Sequence, residues 1–261
     1  MKSLLKFFFL ASLLYSYSSL AQSYFGSSAP TLQDKFPKRI GSLRFSATTL
    51  NLGRIGNNEV KKDTVRIYNT ASRAITLSFN GKIPGHMQVN SSTTSLEAGG
   101  EAWIAIVYNG GLKNDFGFVL DRISISTNDS VQSVKFINIT ATIYEVFSVL
   151  SSEDSMLVQK ARVPETAFNY GTIQNGEKRS HDFVVYNDGK RELKLHKAKS
   201  SCGCIQTVIS KNAVAAGDSA YVRVMFDSFG KEGTDSRKIN LYTNDPAQPE
   251  IKLEMNGQII K

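Results

Sequence analysis

The sequence has few of the residues on which recognisable catalytic and metal sites depend. Its 261 residues include only two cysteines, three histidines and one tryptophan. It contains no phosphate-binding glycine loop, no Ser/His/Asp constellation and no carboxylate pair in a motif context, so we do not expect an enzyme. Two cysteines are too few for a closed structural zinc site. No run of basic residues interleaved with aromatics marks a nucleic-acid surface, so nucleic acid is not an expected partner.

Long apolar segments are also absent after the N-terminus. The stretch Leu4–Leu14 follows a lysine and precedes small and polar residues, which is the pattern of a secretory signal peptide. Small side chains at Ser19 and Ala21 predict cleavage between Ala21 and Gln22. A transmembrane anchor is the alternative, but it would need about 20 apolar residues. We therefore expect residues 1–21 to be removed, and the exported chain not to insert into a membrane.

The charge of the chain is basic without being concentrated in one place. Lysine and arginine number 31 against 23 acidic residues, for a net charge of +8. Loss of Lys2 and Lys6 with the signal peptide lowers this to +6 (8 − 2 = 6). The surplus either favours acidic partners or serves solubility alone.

What the sequence does contain is an internal repeat of domain length. Asn69 lies in DTVRIYNTASRAITL and Asn187 lies in HDFVVYNDGKRELKL, an offset of 187 − 69 = 118 residues. Solenoid repeats span only about 20–50 residues, so this repeat indicates two copies of one fold. The same offset relates Gly53 to Gly171, Glu59 to Glu177, Tyr68 to Tyr186, Gly99 to Gly217, and Trp103 to Tyr221.

The apolar periodicity in both copies is that of β-strands. Apolar residues alternate with other residues in short runs, and turn-forming dipeptides such as Asn-Gly and Asp-Gly separate the runs. No 12-residue segment after the signal peptide shows a helical stripe. This pattern predicts a β-sandwich of about seven strands in each copy. The predicted core positions include Ile104, Ile106 and Tyr108 in the first copy and Val222, Val224 and Phe226 in the second. In the last strand of each copy they are Val134 and Phe136 in the first and Ile251 and Leu253 in the second.

These observations predict the division of the chain into domains. The exported chain has about 240 residues (261 − 21 = 240), enough for two domains of ordinary size. A polar, turn-prone stretch separates the copies and is short enough to restrict their bending. The predicted parts are a signal peptide (1–21), a lead-in segment (22–40), a first domain (41–146), a linker (147–162) and a second domain (163–261).

The second copy also carries a set of short motifs. They are Cys202-Gly203-Cys204, Ala216-Gly217-Asp218, Val224-Met225-Phe226-Asp227-Ser228, Gly230-Lys231-Glu232-Gly233, and Tyr242-Thr243-Asn244-Asp245-Pro246. Together they resemble a bacterial family of unknown function with a Cys-Gly-Cys signature. That family has an immunoglobulin-like sandwich related to the Hydin-type (ASH), major-sperm-protein and PapD-like domains. The first copy departs from the signature, because Pro84 and His86 take the places of the two cysteines.

The resemblance implies the fold and the compartment more than the activity. It implies an all-β protein of two tandem immunoglobulin-like β-sandwich domains after a cleaved signal peptide. It also implies an exported protein of Bacteroidetes-type bacteria. Because one fold hosts many functions, it leaves the activity open.

The role of Cys202 and Cys204 stays open at the level of sequence. Two residues apart on a strand, they share a face, and a disulfide between them would need a turn at Gly203. Such a small ring would be labile, which suits thiol–disulfide exchange. Two thiolates with His196 would instead suit Cu(I) or Zn(II). The simplest alternative is a redox-inert brace with no cofactor.

Three functions follow from these alternatives. The leading hypothesis is a non-catalytic protein-binding or structural module of the bacterial cell envelope, whose edge strands and faces bind other envelope proteins. We expect it in the periplasm, with the cell surface or the medium as alternatives. The second hypothesis is thiol–disulfide or Cu(I)/Zn(II) handling through Cys202 and Cys204. The third is a periplasmic assembly chaperone that uses edge-strand complementation.

Overall fold

The computed structural model describes residues 29–79, 81, 83–147, 158–200 and 202–261. The predicted signal peptide, with its cleavage site at Ala21 and Gln22, lies outside the described residues, as does most of the predicted linker. In the described ranges, no helix is long and apolar enough to cross a membrane.

The first domain is a sandwich of two five-stranded sheets. Their strand orders are β1-β2-β4-β8-β6 and β3-β10-β9-β5-β7. The strands are β1 (Lys38–Ile40), β2 (Leu43–Phe45), β3 (Thr49–Gly56), β4 (Val60–Asn69), β5 (Ile75–Ser78), β6 (Met87–Ser91), β7 (Ser95–Leu96), β8 (Glu101–Asn109), β9 (Gly117–Thr127) and β10 (Val134–Tyr144). Two single-turn helices accompany them, α1 (Leu32–Lys35) and α2 (Gly110–Lys113).

The second domain repeats this arrangement. Its sheets have the orders β11-β13-β17-β15 and β12-β19-β18-β14-β16. In each domain the first long strand runs parallel to the last, β3 beside β10 and β12 beside β19, and the other pairs are antiparallel. The strands are β11 (Ala161–Arg162), β12 (Ala167–Gln174), β13 (Lys178–Asn187), β14 (Leu193–Ser200), β15 (Ile205–Ile209), β16 (Ala213–Val214), β17 (Ser219–Asp227), β18 (Gly233–Thr243) and β19 (Glu250–Ile260). The predicted all-β fold of two tandem immunoglobulin-like sandwiches is confirmed.

Short strands extend both domains beyond the sequence-based boundaries. β1 lies in the predicted lead-in segment 22–40, yet it pairs with β2, and the neighbouring Phe36 is fully buried. β11 lies in the predicted linker 147–162 and pairs with β13. Each domain therefore begins a few residues earlier than the apolar pattern indicates. Such short segments also raise the strand number above seven in each domain.

Alternation predicts the central strands correctly and one terminal strand wrongly. Ile104 and Ile106 on β8 are fully buried, as are Val222 and Val224 on β17. On β10, however, the predicted core residues Val134 and Phe136 point outward. Val134 is 37% exposed and Phe136 is 45% exposed.

The reason is a lysine in the core of the first domain. Lys135 is fully buried, at the position that Ile251 occupies in β19 of the second domain. Its ammonium donates to Asp129 Oδ2 at 2.8 Å and to Thr127 Oγ1 at 3.2 Å, and also to the Gln132 carbonyl. These three acceptors replace water around the charge, so the lysine can point into the core. A charged residue is not expected at a core position, so the sequence pattern did not indicate this.

A buried asparagine holds the same loops in each domain. Asn187 is fully buried, and its Nδ2 donates to the carbonyls of Arg191 and Val214, both at 2.8 Å. Its Oδ1 accepts from the Gly189 amide at 3.0 Å. Asn69 makes the matching bonds in the first domain to Arg73, Leu96 and Ala71. The strongest repeat signal in the sequence therefore marks a structural side chain.

Candidate functional site

Cys202 and Cys204 form a disulfide that closes a tight turn in front of β15. Their Cα atoms lie 5.1 Å apart. The Ile205 amide donates to the Cys202 carbonyl at 3.2 Å, and a Cβ on Gly203 would meet no atom within 4 Å. Both cysteines are partly exposed, and Cys204 packs against the core of the second domain. The disulfide therefore fixes the point at which β15 begins.

β15 is an edge strand with unpaired backbone groups. Among the described residues, its one neighbouring strand is β17. The Cys204 carbonyl accepts from Asp227 at 2.9 Å, and the Ser210 amide donates to Tyr221 at 3.0 Å. Because hydrogen-bonded positions alternate along an antiparallel pair, the backbone groups of Thr207 must face away from β17.

A groove of about 690 Å³ lies beside this free edge. One wall is β15, through Thr207 and Ile209, and the floor is β14, through Leu195 and Ala198. The Thr207 hydroxyl donates to the Ala198 carbonyl at 2.9 Å, which ties the edges of the two sheets together. The opposite wall is the loop 114–116 of the first domain. We call this space the β15 groove.

Charged side chains hold the first domain against β14. Asp115 Oδ1 accepts from Lys197 and from Lys199, each at 2.9 Å. Lys199 also donates to the Phe118 carbonyl at 3.1 Å. Burial alone would raise the pKa of Asp115, but the hydrogen bonds from the two lysines outweigh burial and hold that pKa below its ordinary value. The carboxylate therefore stays charged at neutral pH.

His196, the predicted metal ligand, lies in this interdomain contact. Its ring stacks on Phe116 with centroids 4.1 Å apart, and its Nε2 lies 2.9 Å from Glu145 Oε2. Burial lowers the pKa of His196, and the Glu145 carboxylate opposes this only in part. We call Asp115, Phe116, Glu145, His196, Lys197 and Lys199 the interdomain clasp.

The structure does not bring the predicted metal ligands together. In the part of the chain that it describes, no three His, Cys, Asp or Glu side chains form a group that could hold a metal ion. His196 is engaged in the interdomain clasp, and the sulfurs of Cys202 and Cys204 are bonded to each other. A disulfide offers no thiolate to Cu(I) or Zn(II), so these residues do not fit such a site in this arrangement.

A glycine lets the two domains approach closely. Gly117 has a φ of +71°, and a Cβ there would overlap the ring of Tyr242 in the other domain. Gly233, at the matching position of β18, has a φ of +86° and no neighbouring atom within 4 Å. The two positions therefore share a left-handed backbone, which glycine adopts without strain, and they differ in the contact between domains.

We expect Gly117→Ala to loosen the interdomain clasp and Gly233→Ala to leave it intact. Both changes incur a backbone strain of about 1–2 kcal/mol, but only the first inserts an atom between the domains. Small-angle scattering of the mature protein should give a larger radius of gyration for Gly117→Ala than for Gly233→Ala. Equal radii for the two variants would contradict this account of the contact.

The first domain carries a partly buried charge cluster where the second has its disulfide. Asp121 accepts from both Lys113 and Tyr108 at 2.8 Å and lies 3.0 Å from His86 Nε2. Burial and the Asp121 carboxylate raise the pKa of Tyr108. His86 takes the place of Cys204 in front of β6, so this cluster fixes the start of that edge strand. The members of this cluster are far apart in the chain, so no local pattern indicates it. The one signal in the sequence is Pro84-Gly85-His86 in the place of Cys-Gly-Cys.

The two sandwiches, of which the second has β15 as a free edge among the described residues, make this a protein of two tandem immunoglobulin-like domains. Residues 161–259, which are the second domain, match the family described as "Protein of unknown function (DUF1573)". The resemblance of the second copy to a family of unknown function is thereby confirmed. No curated protein has a sequence that matches this chain.

A solved structure shares the fold over most of the chain. A protein of unknown function from Porphyromonas gingivalis W83 superposes with a TM-score of 0.60 at 15% identity, covering 84% of this chain and 100% of its own. At that identity the likeness shows the fold alone. The human CEP192 ASH/PapD-like domain has a TM-score of 0.33 at 12% identity, covering 44% of this chain and 94% of its own. The YadV chaperone has a TM-score of 0.30 at 15% identity, covering 82% and 99%. Scores this low carry no functional argument.

Proposed function

We propose that this protein is a non-catalytic module of the bacterial cell envelope that binds another protein through the free edge of β15. The observation that carries the proposal is the unpaired backbone of Thr207 beside the β15 groove. An exposed sheet edge is a ready template for an added strand. The signal-peptide pattern of residues 1–21 supports export, with the periplasm as the proposed compartment.

The same proposal assigns Cys202-Gly203-Cys204 to the signature of the matched family. The matched residues 161–259 include this motif, and a structure with the same fold comes from Porphyromonas gingivalis. In this assignment the disulfide is a brace that sets the start of the binding edge.

A photo-reactive residue on β15 tests the proposal directly. Val208 is 50% exposed on the outer face of β15, and Asn90 takes the matching exposed position on β6. With a benzoylphenylalanine at position 208, cross-linking in cells that export the protein should capture one dominant envelope protein, and with the same residue at position 90 it should not. Background proteins alone at both positions would refute the proposal. A captured subunit that lacks a strand of its own would favour the assembly-chaperone alternative.

Thiol chemistry is the second candidate function, because Cys204 borders a surface pocket of about 460 Å³. Two arginines line that pocket, and a free positive charge would stabilise a thiolate. Both are already engaged, Arg179 with Glu177 and Arg223 with Asp182, each at 2.7 Å. The local charge is therefore largely neutralised, which favours the brace.

Replacing both cysteines with serine distinguishes the brace from the thiol site. For so short a loop, we expect the Cys202→Ser, Cys204→Ser variant to lose about 1–2 kcal/mol of unfolding free energy in the second domain. Capture of the partner at position 208 should persist. Native mass spectrometry of the wild-type protein should show no bound metal. Unchanged stability with loss of capture, or retained metal, would instead support thiol or metal chemistry.

A further inference from the structure

We propose that the β15 groove takes an extended peptide segment that carries an acidic side chain and adds a strand to β15. This inference rests on the proposed function and specifies its partner. It combines the free backbone edge with the charge and the shape of the groove.

The backbone geometry selects a polypeptide in extended form. On β15, Thr207 and Ile209 both turn their amide and carbonyl groups away from β17. Two residues along a strand span about 6.8 Å, which is the spacing at which an added strand offers its own donors and acceptors. A glycan has no such regular alternation of donors and acceptors. The edge therefore favours a peptide over a polyanionic sugar.

The charge of the groove selects an acidic side chain. Lys194 is exposed on β14, and no described residue forms an ion pair with it. Lys197 lines the groove as well, but it shares Asp115 with Lys199, so that single carboxylate is opposed by two ammonium groups. The groove therefore keeps a surplus of positive charge beside its free edge. An Asp or Glu side chain of the added strand would neutralise it.

The shape of the groove selects small side chains next to the acidic one. Leu195 is fully buried and Ala198 is 7% exposed, so only the innermost part of the groove is apolar, and the rest of its β14 lining is polar. Successive side chains of a strand point to opposite faces, so residues that alternate with the outward ones would meet this floor. We expect small apolar residues at those positions, because the loop 114–116 forms the opposite wall of the groove.

The first domain supplies a matched control, because its edge strand β6 has a free backbone edge but no lysines at the corresponding positions. Val89 holds the position of Thr207, and its backbone groups also face away from the neighbouring strand. The positions that correspond to Lys194 and Lys197 are Thr76 and Phe79. β6 thus has the free edge without the lysines.

A library of random nine-residue peptides displayed on phage, selected on the mature protein, tests the proposal. Enriched peptides should contain Asp or Glu among small apolar residues. Thr207→Pro removes an amide that faces away from β17, so it should keep the hydrogen bonds between β15 and β17 and weaken peptide binding by about tenfold or more. Thr207→Val loses the same hydroxyl bond to Ala198 but keeps the amide, so it should bind the peptides at least about tenfold more tightly than Thr207→Pro. Val89→Pro should leave binding unchanged. Lys194→Glu should shift the selected peptides from acidic to basic.

A modified peptide keeps the test independent of how well the variants fold. A synthetic copy of the most enriched peptide, with alternate amides N-methylated, keeps its charge but cannot pair with an edge strand. We expect it to bind at least about tenfold more weakly than the unmodified copy. No enrichment of acidic peptides, equal binding of the methylated copy, or displacement by heparin with no effect of Thr207→Pro would overturn the proposal.

Failure of this inference can be told apart from failure of the binding function. If a dominant partner is cross-linked at position 208 and its capture survives both Thr207→Pro and Lys194→Glu, the protein is a binding module but strand addition is wrong. If neither position 208 nor position 90 captures a specific partner, both proposals fall.

Discussion

Replacing Asp129 with alanine should unfold the first domain under conditions in which the second domain stays folded. The substitution leaves the ammonium of Lys135 without its carboxylate, and that lysine is fully buried. Breaking a buried ion pair by removing one partner costs about 3–5 kcal/mol. A domain has a total stability of about 5–15 kcal/mol, so the loss is a large fraction of it. Calorimetry should show one of the two melting transitions shifted strongly to lower temperature and the other unchanged.

Lys135→Ile is the matched control, because it copies the second domain. There Ile251 takes the place of the lysine, and Asp245 is satisfied by the backbone amides of Ala161 and Ala247, each at 2.8 Å. In the variant, Asp129 would keep its own backbone donors. Replacing a buried charge pair with well-packed apolar atoms is often neutral or stabilising, so we expect a change within about 1 kcal/mol. A loss as large as that of Asp129→Ala would contradict this explanation.

The same pair predicts the acid sensitivity of the first domain. Burial alone would raise the pKa of Asp129, but hydrogen bonds from Lys135 and from the Ser42 and Val131 amides outweigh burial and hold it well below its ordinary value. The carboxyl pKa is therefore lower in the folded state than in the unfolded state, where it is about 3.9. Its stabilising effect is complete above about pH 4 and is lost as the pH falls further. The first transition should therefore decline below about pH 4, and Asp129→Ala should flatten that decline.

Asn187→Ala should destabilise the second domain alone, and by a similar amount. It removes a side chain that bonds the carbonyls of Arg191 and Val214 and the amide of Gly189. Each buried polar group left without a partner costs about 1–3 kcal/mol, so a loss of about 3 kcal/mol or more is expected. Urea unfolding followed separately for each domain would measure it.

Asn69→Ala provides the reciprocal experiment in the first domain. It removes the corresponding bonds there and should lower only the first transition. Asn187→Asp is a stricter control, because it keeps the shape and the acceptor but loses both donors. We expect it to be at least as harmful as Asn187→Ala, since a carboxylate would then face two carbonyl oxygens. A harmless Asn187→Asp would mean that the donated bonds contribute little.

The fold could be predicted from local pattern wherever one face of a strand is plainly apolar. Ile104 and Ile106 on β8 are such a case, because nothing polar competes for the inward positions. The prediction for Val134 and Phe136 was wrong because β10 begins with apolar residues on its outer face, while its one charged residue, Lys135, points inward. Only its partner Asp129, six residues away, makes that position stable. The sequence Thr-Asn-Asp ends at Asp129 in the first domain and at Asp245 in the second, and this recurrence could have indicated a buried aspartate at both positions.

The candidate site could be predicted only in part, because it depends on contacts between domains. Glycine permits the turn that brings Cys202 and Cys204 together, and that was visible in the sequence. The β15 groove was not, since one wall comes from the loop 114–116 and the other from β14 and β15. No local pattern indicates that Asp115 meets Lys197 across the two domains. His196 was therefore predicted to be a metal ligand from its residue type alone, because its contacts with Phe116 and Glu145 are not visible in the sequence.

The parallel pairing of β3 with β10, and of β12 with β19, also has a mechanical meaning. The chain enters each sandwich near the start of one of these strands and leaves it at the end of the other. Tension along the chain, once the short strands β1, β2 and β11 have come away, would slide the two parallel strands past each other lengthwise. All the hydrogen bonds between them would then bear the load together instead of opening one by one. We therefore expect each domain to resist tension applied between its two chain ends.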